Sequence, residues 1–388
     1  MRTIIIVLDS VGCGALPDAA IYGDVAANTL GHVAEAVGGL KIPHLRQMGL
    51  GNVIPIAGAA AVVSPIGAYG KMAEVSPGKD TITGHWEMAG LRLVQPFAVY
   101  PGGFPAELIQ RFEEAIGRKV LGNIAASGTE IIKQLGIEHQ ETGYPIVYTS
   151  ADSVMQIAAH LDIVPLAQLY EWCEIARKLC RGRYEVARII ARPFTGVPGA
   201  YVRTADRHDY PINPGGNHLL TLLQDRGIPV YAVGKISDVF CGEGVTSSYK
   251  TKSNIDGMQQ TENLLLERRE DCFIFTNLVE FDSLWGHRNN PIGYAGALEE
   301  FDQFLPRLLQ SLQQNDWLII TADHGCDPMS ASTDHNREYV PLLIYGPNVK
   351  VGALQTRTSF ADLGTTVAYR YGCEMPLHGT LIPVSLTK

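Results

Sequence analysis

The sequence predicts an α/β protein, with a core built on a mostly parallel sheet flanked by helices and a smaller inserted α+β cap domain. Three observations support this. Short apolar runs alternate with stretches of helical periodicity, which is typical of parallel sheets. The chain has 388 residues, which is long for a single domain. Residues 92–211 depart from the alternation and begin and end in segments rich in Pro and Gly. We therefore predict a core of residues 1–91 and 212–388 and an insert of residues 92–211.

The core contains five apolar runs that are short enough to be buried strands and four longer stretches with helical periodicity. The predicted strands are residues 4–8, 229–233, 272–279, 317–321 and 341–345. The predicted helices are residues 217–226, 257–270, 293–314 and 360–371.

The insert has the mixed pattern of an α+β domain. Its predicted helices are residues 105–117, 127–135 and 164–181, and its strand candidates are residues 119–125, 145–150 and 185–191. Ser127 and Glu130 have the spacing of a capping box, in which both side chains bond to backbone N–H groups at a helix start.

The composition argues against several classes of protein. The net charge of −9 lacks the basic footprint of a nucleic-acid-binding protein. Seven cysteines without a C-x-x-C pair fit a reducing compartment better than a disulfide scaffold or a zinc ribbon. The five-residue apolar run near the start is too short for a signal peptide or a membrane span. We expect a cytoplasmic enzyme without a nucleic-acid, membrane or obligate protein partner.

Acidic and imidazole side chains gather after three predicted core strands, where ligands bind in open α/β sheets. Taken singly, an Asp at a strand end often caps a helix and a lone His is often structural. Together, three carboxylates and three imidazoles favour two divalent ions, because one ion does not need six such ligands. The mixed set fits Mn2+, Zn2+ or Fe2+ better than Ca2+. The candidate ligands are Asp9, Asp282, His287, Asp323, His324 and His335.

The motif "GKDTITGHWE", residues 78–87, contains two threonines near a predicted helix start at Asp80 or Thr81. A metal pair activates a nearby hydroxyl as a nucleophile, and a helix N-terminus offers N–H groups to a phosphate. Thr81 is the candidate nucleophile, whereas Thr83 lies two residues further in and is predicted to pack or cap. The alternative is that Thr81 only caps the helix.

The insert carries a basic segment that is a candidate phosphate-binding region. Residues 177–207 contain eight Lys/Arg and two Asp/Glu. Arg177, Lys178 and Arg181 are interpreted as a solvated helix face. The substrate-binding candidates lie among turn residues or after a core strand, and they are Arg192, Arg203, Arg207 and Lys235. For Lys235 the alternative is a structural ion pair.

Seven segments resemble the phosphopentomutase family of the alkaline phosphatase superfamily. "TADHG" alone indicates only the superfamily, whereas "GKDTITGHWE" is much more specific, and the matches run from residue 7 to about residue 343. The segments are "VLDSVGCGALPDA", "GKDTITGHWEMAG", "TSADSVMQIAAH", "GKISDVFCGEGVT", "FDSLWGHRNN", "TADHGCDP" and "STDHNREYVPLL".

The resemblance implies an alkaline-phosphatase-like core and interconversion of ribose 1-phosphate and ribose 5-phosphate, and of the 2-deoxyribose analogues, in nucleoside catabolism. It implies two Mn2+ ions per chain, a phosphothreonine at Thr81, a bisphosphate intermediate and a sugar bisphosphate activator. By motif, the ligands of one ion correspond to Asp9, Asp323 and His324. The ligands of the other ion correspond to Asp282, His287 and His335. Asp152 resembles a substrate-binding residue. Glu280 and Trp285 depart from the expected Asp and Tyr, but neither is a ligand position.

Three other functions use a similar set of residues. A phosphatase or phosphodiesterase has the same core, and so does a phosphoglycerate mutase of the superfamily, although its nucleophile is typically serine. A non-catalytic metal sensor is the third alternative, and it would be favoured by loss of a ligand or of Thr81. Neither loss occurs in this sequence.

Overall fold

The computed structural model describes residues 1–150, 153–374 and 378–384. The chain divides into two units, which we call the core unit, residues 1–95 and 214–388, and the insert unit, residues 96–213. The sequence predicted the insert at residues 92–211. No helix among the described residues is long and apolar enough to cross a lipid bilayer.

The strands of the described residues are, in chain order, β1 (Arg2–Leu8), β2 (Ala68–Met72), β3 (Leu121–Ala125), β4 (Ile146–Thr149), β5 (Val154–His160), β6 (Arg188–Thr195), β7 (Val202–Arg203), β8 (His208–Pro211), β9 (Val230–Val233), β10 (Ser247–Tyr249), β11 (Cys272–Leu278), β12 (Trp317–Thr321), β13 (Val340–Tyr345) and β14 (Gly352–Ala353).

The α-helices are α1 (Ala19–Tyr22), α2 (Thr29–Ala36), α3 (Pro43–Met48), α4 (Leu50–Val53), α5 (Thr81–Met88), α6 (Ala106–Ile116), α7 (Gly128–Thr142), α8 (Leu166–Leu179), α9 (Leu219–Asp225), α10 (Ile236–Val239), α11 (Asn254–Glu267), α12 (Pro291–Gln310) and α13 (Ala361–Arg370). A short 3-10 helix spans Gly182–Tyr184, and a π-helical segment spans Phe281–Gly286.

The sheet of the core unit has the strand order β10-β9-β11-β1-β12-β13-β2-β14. Its central strand β1 pairs in parallel with β11 on one side and with β12 on the other. The strand β13 is antiparallel to both of its neighbours. Every residue of β1, β11 and β12 is buried, which explains their continuous apolar sequences. The predicted α/β class with a mostly parallel sheet is therefore confirmed. The carboxyl ends of β11, β1 and β12 lie side by side at one edge.

The insert unit is built on a second sheet, in which β3, β4, β5, β6 and β7 follow one another and β8 pairs with β6. This sheet mixes parallel and antiparallel pairs, as expected for an α+β unit. Helix α8 packs against β6 and α7 packs against β4 and β5. The strand β5 was not predicted, and helix α7 extends seven residues beyond its predicted end at residue 135, to Thr142.

Two predictions in the insert are wrong in detail. Ser127 is the N-cap of α7, but its side chain makes no cap hydrogen bond, and the Glu130 carboxylate instead accepts from Lys133 Nζ at 2.9 Å. Arg177 is not part of a solvated face. Its side chain is buried and donates to the carbonyl oxygens of Val186, at 2.8 Å, and Cys180, at 2.6 Å.

Candidate metal centre and nucleophile

Three predicted ligands lie within three residues of the carboxyl ends of β1 and β12. Asp9 is the residue after β1, and Asp323 and His324 lie two and three residues after β12. Ser10 directly follows Asp9 and has a left-handed backbone with φ of 74°, which a non-glycine residue adopts only under constraint. This conformation lets Ser10 N donate to Asp323 Oδ1 at 3.0 Å. The strained turn therefore fixes one carboxylate beside the other.

We call Asp9, Asp323 and His324 the first ligand group. One ligand atom of each lies within 4.8 Å of the other two. His324 Nε2 lies 3.5 Å from Asp9 Oδ1 and 3.5 Å from Asp323 Oδ2. All three side chains are buried. The predicted members of one metal site are thus adjacent in the fold.

We call Asp282, His287 and His335 the second ligand group. Asp282 lies in the π-helical segment after β11, and His287 follows that segment directly. The Nε2 atoms of both histidines lie 3.3 Å from an Asp282 carboxylate oxygen and 3.1 Å from each other. The rings of His335 and His324 are 4.0 Å apart between centroids, so the two groups adjoin.

Both groups fit divalent cations. Asp9 Oδ1, Asp282 Oδ1 and Asp323 Oδ2 are buried and have no hydrogen-bond partner of ordinary geometry in the described part of the chain. Burial raises the pKa of Asp9, and the neighbouring Asp323 carboxylate raises it further. Burying such oxygens without a partner is costly, and a bound cation removes that cost. Oxygen and imidazole donors together suit Mn2+, Fe2+ or Zn2+.

Thr81 lies at the start of α5, beside the first ligand group. The Asp80 side chain caps this helix by accepting from Ile82 N at 3.0 Å and from Thr83 N at 3.2 Å. Thr81 Oγ1 lies 3.3 Å from His324 Nε2. Thr83 is buried and its hydroxyl donates to Asp80 Oδ2 at 2.5 Å. Of the two threonine hydroxyls in the motif, the one at Thr81 therefore adjoins the ligand groups.

Two buried residues that the sequence analysis missed connect Thr81 to the acids. His85 Nδ1 lies 2.8 Å from the Thr81 carbonyl oxygen and 3.1 Å from Asp323 Oδ2. Asn277 Nδ2 donates to Asp9 Oδ2 at 3.0 Å and lies 3.3 Å from His85 Nε2. The spacing of Thr81 and His85, one helical turn, is a signal that sequence reasoning had available. For Asn277, the available signal was a polar residue within an otherwise mostly apolar predicted strand.

Arg337 holds the loop that leads into α5, and it was also missed. Its Nη1 atom donates to Glu74 Oε2 at 2.7 Å, Ser76 O at 2.8 Å and Gly78 O at 2.7 Å. Because Arg337 lies two residues after His335, it ties the Thr81 loop to the segment that carries a candidate ligand.

Lys235 forms the ion pair that was the alternative to substrate binding. Its Nζ atom lies 3.2 Å from Asp9 Oδ2. Burial disfavours the charged ammonium, but the carboxylates of Asp9, Asp282 and Asp323 outweigh this effect and raise the pKa of Lys235. The lysine therefore stays positively charged beside the ligand groups.

The two departures from the family pattern make contacts of their own. The Glu280 carboxylate accepts from Asn254 N at 2.6 Å. Trp285 packs on Gly293, where an added Cβ would lie 2.3 Å from the indole ring. Neither residue belongs to a ligand group.

In the insert unit, the charges of three predicted arginines act on the hydroxyl of Tyr148. We call Arg192, Arg203 and Arg207 the arginine cluster. Burial raises the pKa of Tyr148, and the charges of all three arginines oppose this rise. Arg192 Nε donates to Gln156 Oε1 at 2.9 Å, and Arg207 Nε donates to Asp209 Oδ1 at 2.7 Å. The predicted Asp152 lies outside the described residues.

Comparison with known proteins identifies the family. The Metalloenzyme superfamily matches residues 1–375. The phosphopentomutase of Carboxydothermus hydrogenoformans is 56% identical over 96% of each chain. That of Thermotoga maritima is 56% identical over 98% of each chain. A solved structure of Leishmania mexicana phosphoglycerate mutase aligns with a TM-score of 0.47 at 13% identity, covering 99% of this chain and 98% of that one. The chain therefore belongs to the phosphopentomutases, a family of isomerases within the Metalloenzyme superfamily.

Proposed function

We propose that the protein interconverts ribose 1-phosphate and ribose 5-phosphate, and their 2-deoxyribose analogues, with Thr81 as the phosphoryl carrier. The observation that carries this proposal is the 3.3 Å separation between Thr81 Oγ1 and His324 Nε2, at the junction of the two ligand groups. Membership of an isomerase family favours this reaction over hydrolysis or metal sensing.

In this proposal the first ligand group holds one Mn2+ ion and the second ligand group holds another. When bound, the two cations stabilise charge on the phosphoryl oxygens and on the threonine alkoxide. Lys235 adds a fixed positive charge beside Asp9. His85 and Arg337 hold the Thr81 loop in place through its carbonyl groups.

The reaction proceeds in two transfers. Phosphothreonine at Thr81 gives its phosphoryl group to the free hydroxyl of a pentose monophosphate: the Oγ–P bond breaks, a sugar O–P bond forms, the sugar hydroxyl loses its proton, and Thr81 Oγ1 takes up a proton in place of the phosphoryl group. The resulting bisphosphate reorients and returns its other phosphoryl group to Thr81, leaving the isomeric monophosphate. A sugar bisphosphate primes the unphosphorylated enzyme by the same return step.

The arginine cluster of the insert unit is proposed to bind the phosphate of the sugar phosphate. Arg192 is half-buried, and burial followed by the charge of Arg207 lowers its pKa. Three positive charges that act on one another favour an anion, and guanidinium groups bind phosphate through paired N–H donors. Asp152 is proposed as a further substrate-binding residue.

The discriminating assay supplies ribose 5-phosphate, Mn2+ and a sugar bisphosphate, and follows both ribose 1-phosphate and free phosphate. A mutase forms ribose 1-phosphate without stoichiometric free phosphate, whereas free phosphate released at the rate of substrate loss would establish a hydrolase instead. Mass spectrometry of the primed protein is expected to find phosphate on Thr81.

The variant Thr81→Ala is expected to lose about 10⁴-fold or more in turnover, because the nucleophile is removed. Thr83→Ser is the matched control, since it keeps the hydroxyl that bonds Asp80, and it is expected to retain turnover. Turnover of Thr81→Ala within about tenfold of wild type would exclude Thr81 as the carrier.

A further inference from the structure

Cys326 is a buried thiol that the proposed mechanism does not use. It lies two residues after His324, and its Sγ atom lies 3.7 Å from the Asp334 carbonyl oxygen, to which the thiol donates. A Cβ added to Gly286 would lie 2.8 Å from Sγ, so the glycine permits the thiol to approach this turn. The fold therefore directs a sulfur atom toward the π-helical segment that carries Asp282.

The thiol is part of a three-residue cluster with the chemistry of a metal site. One ligand atom from each of Asp282, His287 and Cys326 lies within 4.8 Å of the other two. Asp282 Oδ1 is buried and accepts no hydrogen bond of ordinary geometry from the residues that the structure describes. A carboxylate, an imidazole and a thiol are the three donor types that bind Zn2+ in proteins.

This cluster shares Asp282 and His287 with the second ligand group, and the two differ only in the third donor. The choice is between the imidazole of His335 and the sulfur of Cys326. Ions that prefer oxygen and nitrogen, such as Mn2+, select the imidazole, whereas thiophilic ions select the sulfur. An ion bound to Cys326 would occupy two of the three donors that the productive ion needs.

We propose that Asp282, His287 and Cys326 form an alternative site for a thiophilic divalent ion, Zn2+ or Cd2+, whose occupancy displaces the productive ion and stops turnover. This inference rests on the proposed function, since the inhibition requires that the second ligand group holds a catalytic cation. Binding replaces the S–H bond of Cys326 with a sulfur–metal bond and releases one proton.

The direct test is optical and does not depend on turnover. Cd2+ is titrated into the full-length protein, both free of metal and loaded with Mn2+, and the ultraviolet absorption of the cadmium–thiolate bond is recorded. Wild type is expected to develop this absorption up to the size of one cadmium–thiolate bond per chain, and Cys326→Ser is expected to lose it. Cys241→Ser is the matched control, because Cys241 is exposed and would contribute any non-specific thiolate signal.

Inhibition gives the second readout, with each variant compared with its own activity in Mn2+ alone. Cys326→Ser is expected to need at least about tenfold more Cd2+ than wild type for half-inhibition. Absorption of wild-type size in Cys326→Ser, or no such absorption in wild type, would overturn the proposed site. If Cys326→Ser does not give a normal circular-dichroism spectrum, Cys326→Ala replaces it. Absence of isomerase activity in wild type would refute the proposed function, while the absorption still decides the site.

Discussion

The two ends of strand β12 each carry a buried aspartate, and the two residues have opposite surroundings. At the amino end, Asp316 pairs with buried Arg2, accepting from its backbone N at 2.8 Å and from its Nε at 2.9 Å. At the carboxyl end, Asp323 lies beside a second acid, Asp9, and its Oδ2 atom accepts no hydrogen bond of ordinary geometry within the described ranges. One acid is paired with a guanidinium of the chain, and the other shares its pocket with a second carboxylate and with the imidazoles of His85 and His324.

This difference separates a structural charge from a functional one. A buried ionised group requires a partner, because removing it from water is costly. Arg2 supplies that partner for Asp316, so the pair can contribute to the fold without any ligand. Asp9 has the ammonium of Lys235 at 3.2 Å, and Asp323 has imidazoles beside it, His85 Nδ1 at 3.1 Å and His324 Nε2 at 3.5 Å. The two adjacent carboxylates still repel each other, so we infer that a cation from solution completes the balance of charge. Mutating the two aspartates separately tests this interpretation.

Replacement of Asp323 is expected to have the largest effect on activity. Asp323→Asn should lower turnover by about 10³-fold or more, because the bound cation contributes several kcal/mol of transition-state stabilisation. In the metal-free protein the change removes the repulsion of Asp9, but it also removes the contacts with His324, His85 and Ser10 N that lower the pKa of Asp323 despite its burial, so the melting temperature should fall less than that of Asp316→Asn. Metal content after gel filtration and thermal unfolding measure the two effects. Full metal content with unchanged turnover would show that Asp323 is not a ligand of a catalytic cation.

Replacement of Asp316 is expected to give the opposite result. Asp316→Asn leaves the Arg2 guanidinium buried without its counter-ion, and breaking such a pair costs about 3–5 kcal/mol of stability. Urea unfolding measures this loss, and the folded fraction should keep its metal content and its turnover. The double variant Arg2→Met/Asp316→Asn should recover part of the stability, because no charge remains buried. Loss of metal by a folded Asp316→Asn protein would contradict the interpretation that Asp316 has only a structural role.

His85 is expected to have an intermediate effect, since it acts through the residues it contacts. His85→Ala removes the contacts with the Thr81 carbonyl and with Asp323 Oδ2 and should lower kcat by about 10–100-fold, with a smaller change in KM. His85→Asn retains a donor near the position of Nδ1 and should recover part of kcat. Steady-state kinetics of both variants check this. Equal losses in the two variants would mean that His85 only fills space.

The sequence predicted the part of the site that depends on regular structure. The strands β1, β11 and β12 are buried on both faces, so their runs are continuously apolar, and the polar residues that follow them mark the edge where ligands gather. Contacts made by irregular segments could not be predicted, because they join residues far apart in the chain. Arg337, for example, reaches carbonyl groups about 260 residues earlier. The strand β5 was missed because Gln156 interrupts its apolar run and His160 ends it.

Positive charges show the same difference between a paired group and a group of like charges. Replacing a member of the arginine cluster is expected to have the smallest effect on catalysis. Arg183 is exposed and paired with Glu107 at 2.6 Å, as Asp316 is paired with Arg2, whereas half-buried Arg192 faces the like charges of Arg203 and Arg207. Asp209 pairs with Arg207 at 2.7 Å, but the cluster as a whole keeps a net positive charge, which favours an anion from solution, here a phosphate. Arg192→Met should therefore raise KM by at least about tenfold, the typical effect of losing a hydrogen bond to a charged group, and change kcat less. Arg183→Met is the matched control and should leave KM unchanged. If both variants raise KM equally, non-specific attraction by the basic segment explains substrate binding, and the cluster is not a phosphate site.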